Sequence, residues 1–473
     1  MRIFYAGQWR DGDAKIEVRN PFDGSIVDTV PQVGAAEVDA ALAAAVEGAK
    51  VMRRLPGYER FKILRKAADI LLARQNDLGR IISLEEGKTL AEGIFEVTRA
   101  AETIELSAEE AKRLGGEVLP LDGAPGGAGK LGFTIRVPCG VVVAITPFNF
   151  PLNLVCHKVG PALAGGNAVV IKPASNTPLS ALKLVEILLE AGLPPLAIAC
   201  LTGGGGELGK ALCSDARVRK ISFTGSVEVG QQIVSVAGIK RVTMELGSNS
   251  PLIVLDDADL NKVADAVVAT GYGNAGQVCI STQRVIALDS IYPDLLEALK
   301  PRVEGIQAGN QLAEGTKMGP MIRERDAVRV GQWIEEAVQQ GARLVAGGSR
   351  QGTLHQPTLL ADVQPHMKVA QDELFGPAVG VSRARDVEQA IALANHSRYG
   401  LSAGIFTQDI DAAIRFAREV DAGNLHINWG PAWRADLIPY GGLRDSGFGK
   451  EGPKYAIHEM TEMKTVIVHT RAS

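Results

Sequence analysis

The sequence predicts an α/β protein built from two α/β domains and a projecting strand, and three observations predict it. Short apolar runs of strand length alternate with segments of helical periodicity. That alternation occurs in two separate series along the chain. Glycine is abundant, 53 of 473 residues, and much of it falls in loops between apolar runs, as in proteins whose backbone closely approaches a ligand.

In chain order, residues 35–114 read as helical, with Ala- and Leu/Ile-rich segments interleaved with Lys, Arg and Glu. Asp122–Lys130 (DGAPGGAGK) is a Gly/Pro connection. Strands follow at Val141–Thr146, Ala168–Lys172, Ala197–Leu201 and Lys220–Phe223, separated by helices at Asn153–Ala164, Leu179–Ala191, a short segment after Gly203–Gly206, and a last one ending near Ala237. Apolar strands separated by helices imply a parallel sheet covered on both faces, with ligands beyond the carboxyl ends of its strands. A second series starts at Leu252–Leu255 and continues through a helix at Val263–Gly271, a strand at Arg284–Leu288, a helix at Pro293–Ile306 and further alternation from Ala327 to Leu401. Met463–His469 alternates like an exposed strand able to pair with another subunit.

The net charge of -4 provides no electrostatic drive toward nucleic acid or an anionic membrane surface. No apolar stretch approaches the ~20 residues needed to span a bilayer. The N-terminus lacks a secretory apolar region. The cysteines, Cys139, Cys156, Cys200, Cys213 and Cys279, are odd in number, scattered and without a C-x-x-C pair. This argues against a disulfide framework or zinc site, leaves no metal expected, and points to a reducing cytoplasm.

Cys279 lies in Gly276-Gln277-Val278-Cys279-Ile280-Ser281-Thr282, after a Gly-rich turn that can present a thiol to a cleft. Free Cys is usually a small core hydrophobe, but the polar neighbours here argue against a plain core strand. Glu245 ends the apolar run Val242–Met244 before Gly247. An isolated Glu is usually solvated; one held in a cleft would have its pKa raised toward that of a usable base. Asn149, Asn153 and His157 are four apart, the spacing of one helical face; spacing leaves open whether that face is simply wet.

These segments resemble the aldehyde dehydrogenase superfamily. PFNFP (147–151), VIKPASNTPLSAL (170–182), FTGSVEVG (223–230), MELGS (244–248), GQVCIST (276–282), ELFGP (373–377) and PYGGLRDSGFGKEG (439–452) occur in that family's order and spacing across nearly the whole chain. The resemblance implies an aldehyde dehydrogenase-like fold: a Rossmann-type cofactor domain (1–120 and 140–246), an α/β catalytic domain (247–438) and a small β oligomerisation element (121–139 and 453–473). It implies NAD(P)-dependent oxidation of an aldehyde through a thiohemiacetal and thioester on Cys279. Asn149 and the Cys279 N–H would form the oxyanion hole, and Glu245 would activate water. It places the dinucleotide, NAD or NADP, on Thr146, Pro147, Phe148, Lys172, Ser175, Gly225, Ser226, Gly230, Leu246, Glu373 and Phe375. Many NAD-preferring relatives carry a glutamate where this chain has Ser175, so NADP is expected to be accepted.

Alignment to the family places Arg99, His157 and Arg434 at the aldehyde tunnel. Two arginines and a histidine imply an anionic substrate group, since guanidinium binds carboxylate and phosphate in a forked geometry. Phosphonoacetaldehyde is the favoured candidate, ahead of glyceraldehyde 3-phosphate, lactaldehyde and succinate semialdehyde. Val278 stands where some relatives that use anionic aldehydes carry arginine. A CoA-acylating enzyme on the same fold would not need Glu245. An inactive cofactor-binding paralogue would not need Cys279, Glu245 and Asn149 together, and a sugar- or nucleotide-binding protein would not explain that set. The family also implies a homodimer or homotetramer.

Overall fold

The computed structural model describes residues 1–470. The N-terminal third is dominated by four helices, Ala35–Arg54, Gly57–Ala73, Gln75–Glu86 and Leu90–Arg113. Each buries an apolar stripe; in Leu90–Arg113 it includes Val97, Ala101, Ile104 and Ala108. Thr89 caps that helix in a capping box with Glu92, which satisfies amide groups the first turn leaves unpaired.

The first large sheet has eight strands. At its centre Ala168–Lys172, Val141–Ile145, Val218–Thr224 and Arg241–Glu245 run parallel. Val141–Ile145 and Ala168–Lys172 are buried along their whole length, as a sheet covered on both faces requires. Because the strands are parallel, Ile145, Lys172, Thr224 and Glu245 all come to one edge of the sheet. A distant segment, Gly447–Phe448, adds antiparallel beside Glu245. Gly447 has φ +113°, and a Cβ there would lie 1.9 Å from the Met244 carbonyl oxygen, so only glycine permits this approach.

The second sheet has seven strands, with Pro251–Val254, Arg284–Leu288, Ala378–Ala384 and Ser402–Phe406 at its centre. These strands pair in parallel. Each sheet has its own apolar core.

Thr461–His469, expected as an exposed strand able to pair with another subunit, also has a partner within its own chain. Within its own chain it pairs antiparallel with Lys130–Pro138, which also pairs with Val118–Leu119. The strand Thr461–His469 is thus the edge of a three-stranded sheet, with Met463, Ile467 and Val468 exposed. The last three residues of the expected oligomerisation element, 471–473, lie outside the described residues. Among the described residues no helix is long and apolar enough to cross a membrane.

Candidate active site

Cys279 follows the helix Leu260–Gly271 and a tight turn at Gly273–Gly276. Asn274, Ala275 and Gly276 are all left-handed, with φ of 50°, 51° and 68°. Two successive non-glycine residues in this region store strain, held only where the surroundings fix it. Glu92 accepts from the Asn274 N–H at 2.8 Å, and Glu86 from the Asn274 side-chain amide at 2.9 Å. A Cβ on Gly276 would lie 2.1 Å from the Gly376 carbonyl oxygen. The half-buried thiol then sits where two cavities meet, of about 560 and 250 Å³.

Asn149 precedes the helix Asn153–Ala164 rather than lying on it, which corrects the shared-face reading. Nor is that face wet: Asn153 accepts from Thr103 and His157 meets Asp436, both fully within the protein. The Asn149 carbonyl receives Lys88 Nζ at 2.8 Å and the Asn274 amide at 3.2 Å. Its own side-chain amide donates to Gln277 O at 2.8 Å. Asn149 and Cys279 line the same cavity, and no protein acceptor among the described residues takes the Cys279 N–H.

Glu245 is buried with neither carboxylate oxygen hydrogen-bonded. A Cβ on Gly441 would lie 3.0 Å from its Oε1, which puts the acid beside Tyr440, whose hydroxyl is 3.5 Å from Cys279 Sγ. Burial, with repulsion from Glu451, raises the Glu245 pKa well above the carboxylate range. Burial likewise pushes the Cys279 thiol up to about 12.

The cavity of about 560 Å³ is continuous in its lining with another of about 550 Å³, through Pro147, Thr224, Gly225 and Ser226. The pair forms one cleft across the carboxyl ends of the first sheet. Phe148, Leu246, Glu373 and Phe375 line the end near the thiol, while Thr146 and Lys172 line the far end. Glu373 is pushed up to about 7 by burial and accepts from the Ser248 N–H at 2.9 Å. Ser226 caps the helix Val227–Ala237, whose N-terminus faces the cleft and favours an anion.

Three of the expected residues are absent from the cavity linings. Ser175 donates to Gly203 O at 2.8 Å. Gly230 serves helix packing, since a Cβ there would lie 2.7 Å from Leu246 Cδ2. His157 is buried behind the 250 Å³ cavity and does not line it, whereas Arg99 and Arg434 do.

The comparisons with known proteins agree with this geometry. The Aldehyde dehydrogenase family model matches residues 9–466. The chain belongs to the aldehyde dehydrogenase family. It is an oxidoreductase that acts on aldehydes with NAD or NADP. It is 46% identical over 467 residues to a 3-sulfolactaldehyde dehydrogenase of Priestia aryabhattai, covering 99% of this chain and 98% of that one. It is 39% identical to a glutarate-semialdehyde dehydrogenase of Pseudomonas putida, covering 99% and 98%. Among solved structures, the NADP-dependent glyceraldehyde-3-phosphate dehydrogenase of Bacillus halodurans, complexed with NADP, has a TM-score of 0.97 at 37% identity, covering 99% and 98%. The aldehyde dehydrogenase fold expected from the motifs is the fold observed.

Some residues at this aldehyde dehydrogenase site escaped the sequence reading. Arg323 and Arg329 line the cleft near Glu373, yet nothing marks them in a charged helix start. Asp436 lies two residues after Arg434, a spacing that could have signalled an internal ion pair. Lys158 is a fully buried cation held by Thr224 and Glu451 at 2.7 and 2.8 Å; a lysine in an apolar helix was its only signal. Among the described residues no group of acids, His and Cys is placed to hold a metal.

Because burial holds the thiol protonated, alkylation of Cys279 by iodoacetamide in the cofactor-free enzyme should rise about tenfold per pH unit above neutrality, with the thiolate fraction. Peptide mapping over a pH series checks this; a plateau below about pH 8 would show a thiolate already stabilised.

Proposed function

We propose that the enzyme oxidises a small anionic aldehyde to its carboxylate through a covalent intermediate on Cys279. The observation carrying the anionic part is the lining of the 250 Å³ cavity by Arg99 and Arg434 next to the thiol. Both guanidinium groups keep unused donors. Arg99 uses Nε and Nη2 on Asp436 and leaves Nη1 without a protein partner among the described residues. Arg434 Nε is buried with no hydrogen-bond partner among the described residues and lies 4.0 Å from Asp436 Oδ1.

In this reading the Cys279 thiol loses its proton to solvent in the open cavity, and the thiolate sulfur attacks the aldehyde carbon. The resulting oxyanion is met by the Asn149 side-chain amide and the Cys279 N–H, donors already in place before charge develops. The bound nicotinamide supplies the hydride acceptor. Glu245 then takes a proton from the water that opens the thioester. Its unpaired oxygens beside Tyr440 leave it free for that water, and its presence favours hydrolysis over transfer to CoA.

None of the relatives described above is named for phosphonoacetaldehyde. Their names instead cover sulfonated, carboxylated and phosphorylated aldehydes. We place the substrate among short aldehydes with a terminal anion, sulfonate or carboxylate foremost. The adenosine end of the cleft is lined by Lys172 and Lys210 and by no carboxylate, which supports use of NADP. Burial brings Lys172 down to about 8, and a 2′-phosphate beside it would favour its charged form. We also propose a homodimer or homotetramer assembled through the open edge at Thr461–His469.

Two measurements test this reading. Arg99→Leu and Arg434→Leu should each raise KM for succinate semialdehyde about tenfold while changing KM for butanal little; equal effects on both would remove the anion site. With wild-type enzyme, kcat/KM with NADP should equal or exceed that with NAD, and a value far lower would remove the reading of the Lys172 end.

A further inference from the structure

Behind the arginines lies a continuous chain of buried charge. Arg99 meets Asp436 through two hydrogen bonds, Nε to Oδ2 at 3.1 Å and Nη2 to Oδ1 at 2.7 Å. His157 Nε2 lies 2.8 Å from Asp436 Oδ1. On the other side of the ring, Nδ1 faces Arg434 Nη2 at 3.1 Å. A guanidinium can only donate, so Nδ1 must accept and the proton sits on Nε2. The imidazole is therefore neutral. Arg434 Nη1 continues to Glu451 Oε2 at 3.2 Å, and Glu451 Oε1 receives Lys158 at 2.8 Å.

The charges in this set can be summed because it is shut off from water. Arg434, Lys158, Asp436, Glu451 and His157 are all buried, and Arg99 is only 19% exposed. Arg99, Arg434 and Lys158 are positive, Asp436 and Glu451 negative, and His157 neutral, which leaves one positive charge. Glu245 is not among the residues that line this cavity. Of the other charged groups on this cavity, Lys88 is paired with Glu96 at 2.8 Å, and the negative charge of Glu92 is taken up by the Thr89 N–H and hydroxyl and the Asn274 N–H. Glu102, near Arg99, is exposed and screened.

We propose that Asp436 is the specificity-determining residue of the aldehyde cavity, cancelling one of its two arginines so that the site accepts a singly charged anion and disfavours a doubly charged one. The inference rests on the anionic-aldehyde reading above and narrows it. A sulfonate or carboxylate brings one charge and matches the single uncompensated cation. A phosphate ester brings nearly two at neutral pH, and its second charge would be desolvated beside Asp436 and Glu451 without a counter-ion. Asp436 positions as well as neutralises: it fixes the Arg99 fork and sets the His157 tautomer that receives Arg434.

The test is the ratio of kcat/KM for glyceraldehyde 3-phosphate to that for succinate semialdehyde near pH 8. Asp436→Asn keeps the shape and removes one negative charge. It should raise that ratio at least about tenfold, and Asp436→Glu should restore a ratio near wild type. General loosening of the cavity would lower both values together and leave the ratio unmoved. A folded Asp436→Asn enzyme with an unchanged ratio overturns the proposal. Should that variant not fold, the wild-type enzyme still decides. Propane-1-sulfonate should inhibit competitively about tenfold more tightly than ethyl phosphate, and the reverse order overturns the proposal. If neither anion competes with the aldehyde, the anionic-aldehyde reading itself fails, an outcome distinct from anions that bind without charge selection.

Discussion

The site depends on the contacts that bind Asn149 to the nucleophile loop. Asn149 belongs to the turn that closes a strand of the first sheet; Cys279 belongs to a loop that feeds the second. Asn149 donates its side-chain amide to Gln277 O, and its carbonyl receives Lys88 and the Asn274 amide. Two of these hydrogen bonds tie Asn149 to the loop of Cys279, and the third, from a buried ammonium, ties it to the segment between two N-terminal helices, so a side-chain amide and a thiol from different cores are held together. Buried charge-assisted bonds of this kind are strong when complete and costly when broken. Asn274 pays for its place with a left-handed backbone, held by Glu86 and Glu92 on neighbouring helical segments.

Around that fixed point the parallel sheet does the rest. The same edge that carries Ile145, Lys172, Thr224 and Glu245 supplies one end of the cleft, the buried cations behind it and the acid beside the thiol. The Gly447 approach to Met244 brings the segment holding Tyr440 and Glu451 against Glu245. The cavities of about 560 and 250 Å³ meet at Leu154 and Cys279. The aldehyde side is a partly neutralised charge network rather than a bare pair of arginines. Removing one partner of such a network costs more than the pair contributes, because it strands a buried charge.

Much of the fold could be read from the sequence because its signals are local. The strands Ala168–Lys172 and Arg284–Leu288 and the helix Asn153–Ala164 lie where periodicity placed them, since apolar runs bounded by Gly and Pro leave few alternatives. Cys279, Glu245 and Asn149 stood out through motifs with short, fixed spacing. What escaped was non-local. The partner of Thr461–His469 is more than three hundred residues away, and the pairing of Arg99 with Asp436 spans 337 positions. Alignment to the family puts His157 at the aldehyde tunnel, but an alignment does not show that its ring is taken up by Asp436 and Arg434 behind the cavity. Ser175 was rightly noted as uncharged, but its hydroxyl direction is set by Gly203, a loop residue no pattern connects to it.

The account centres on a covalent bond from the Cys279 sulfur to the substrate carbon. The most direct measurement is acid quenching of wild-type enzyme during turnover with succinate semialdehyde and NADP, followed by mass spectrometry of the cysteine peptides. The account predicts an acyl mass increment on the peptide containing Cys279 and none on those containing Cys139, Cys156, Cys200 or Cys213. Turnover with the increment on another cysteine, or with Cys279 unmodified under conditions that trap thioesters, would contradict it.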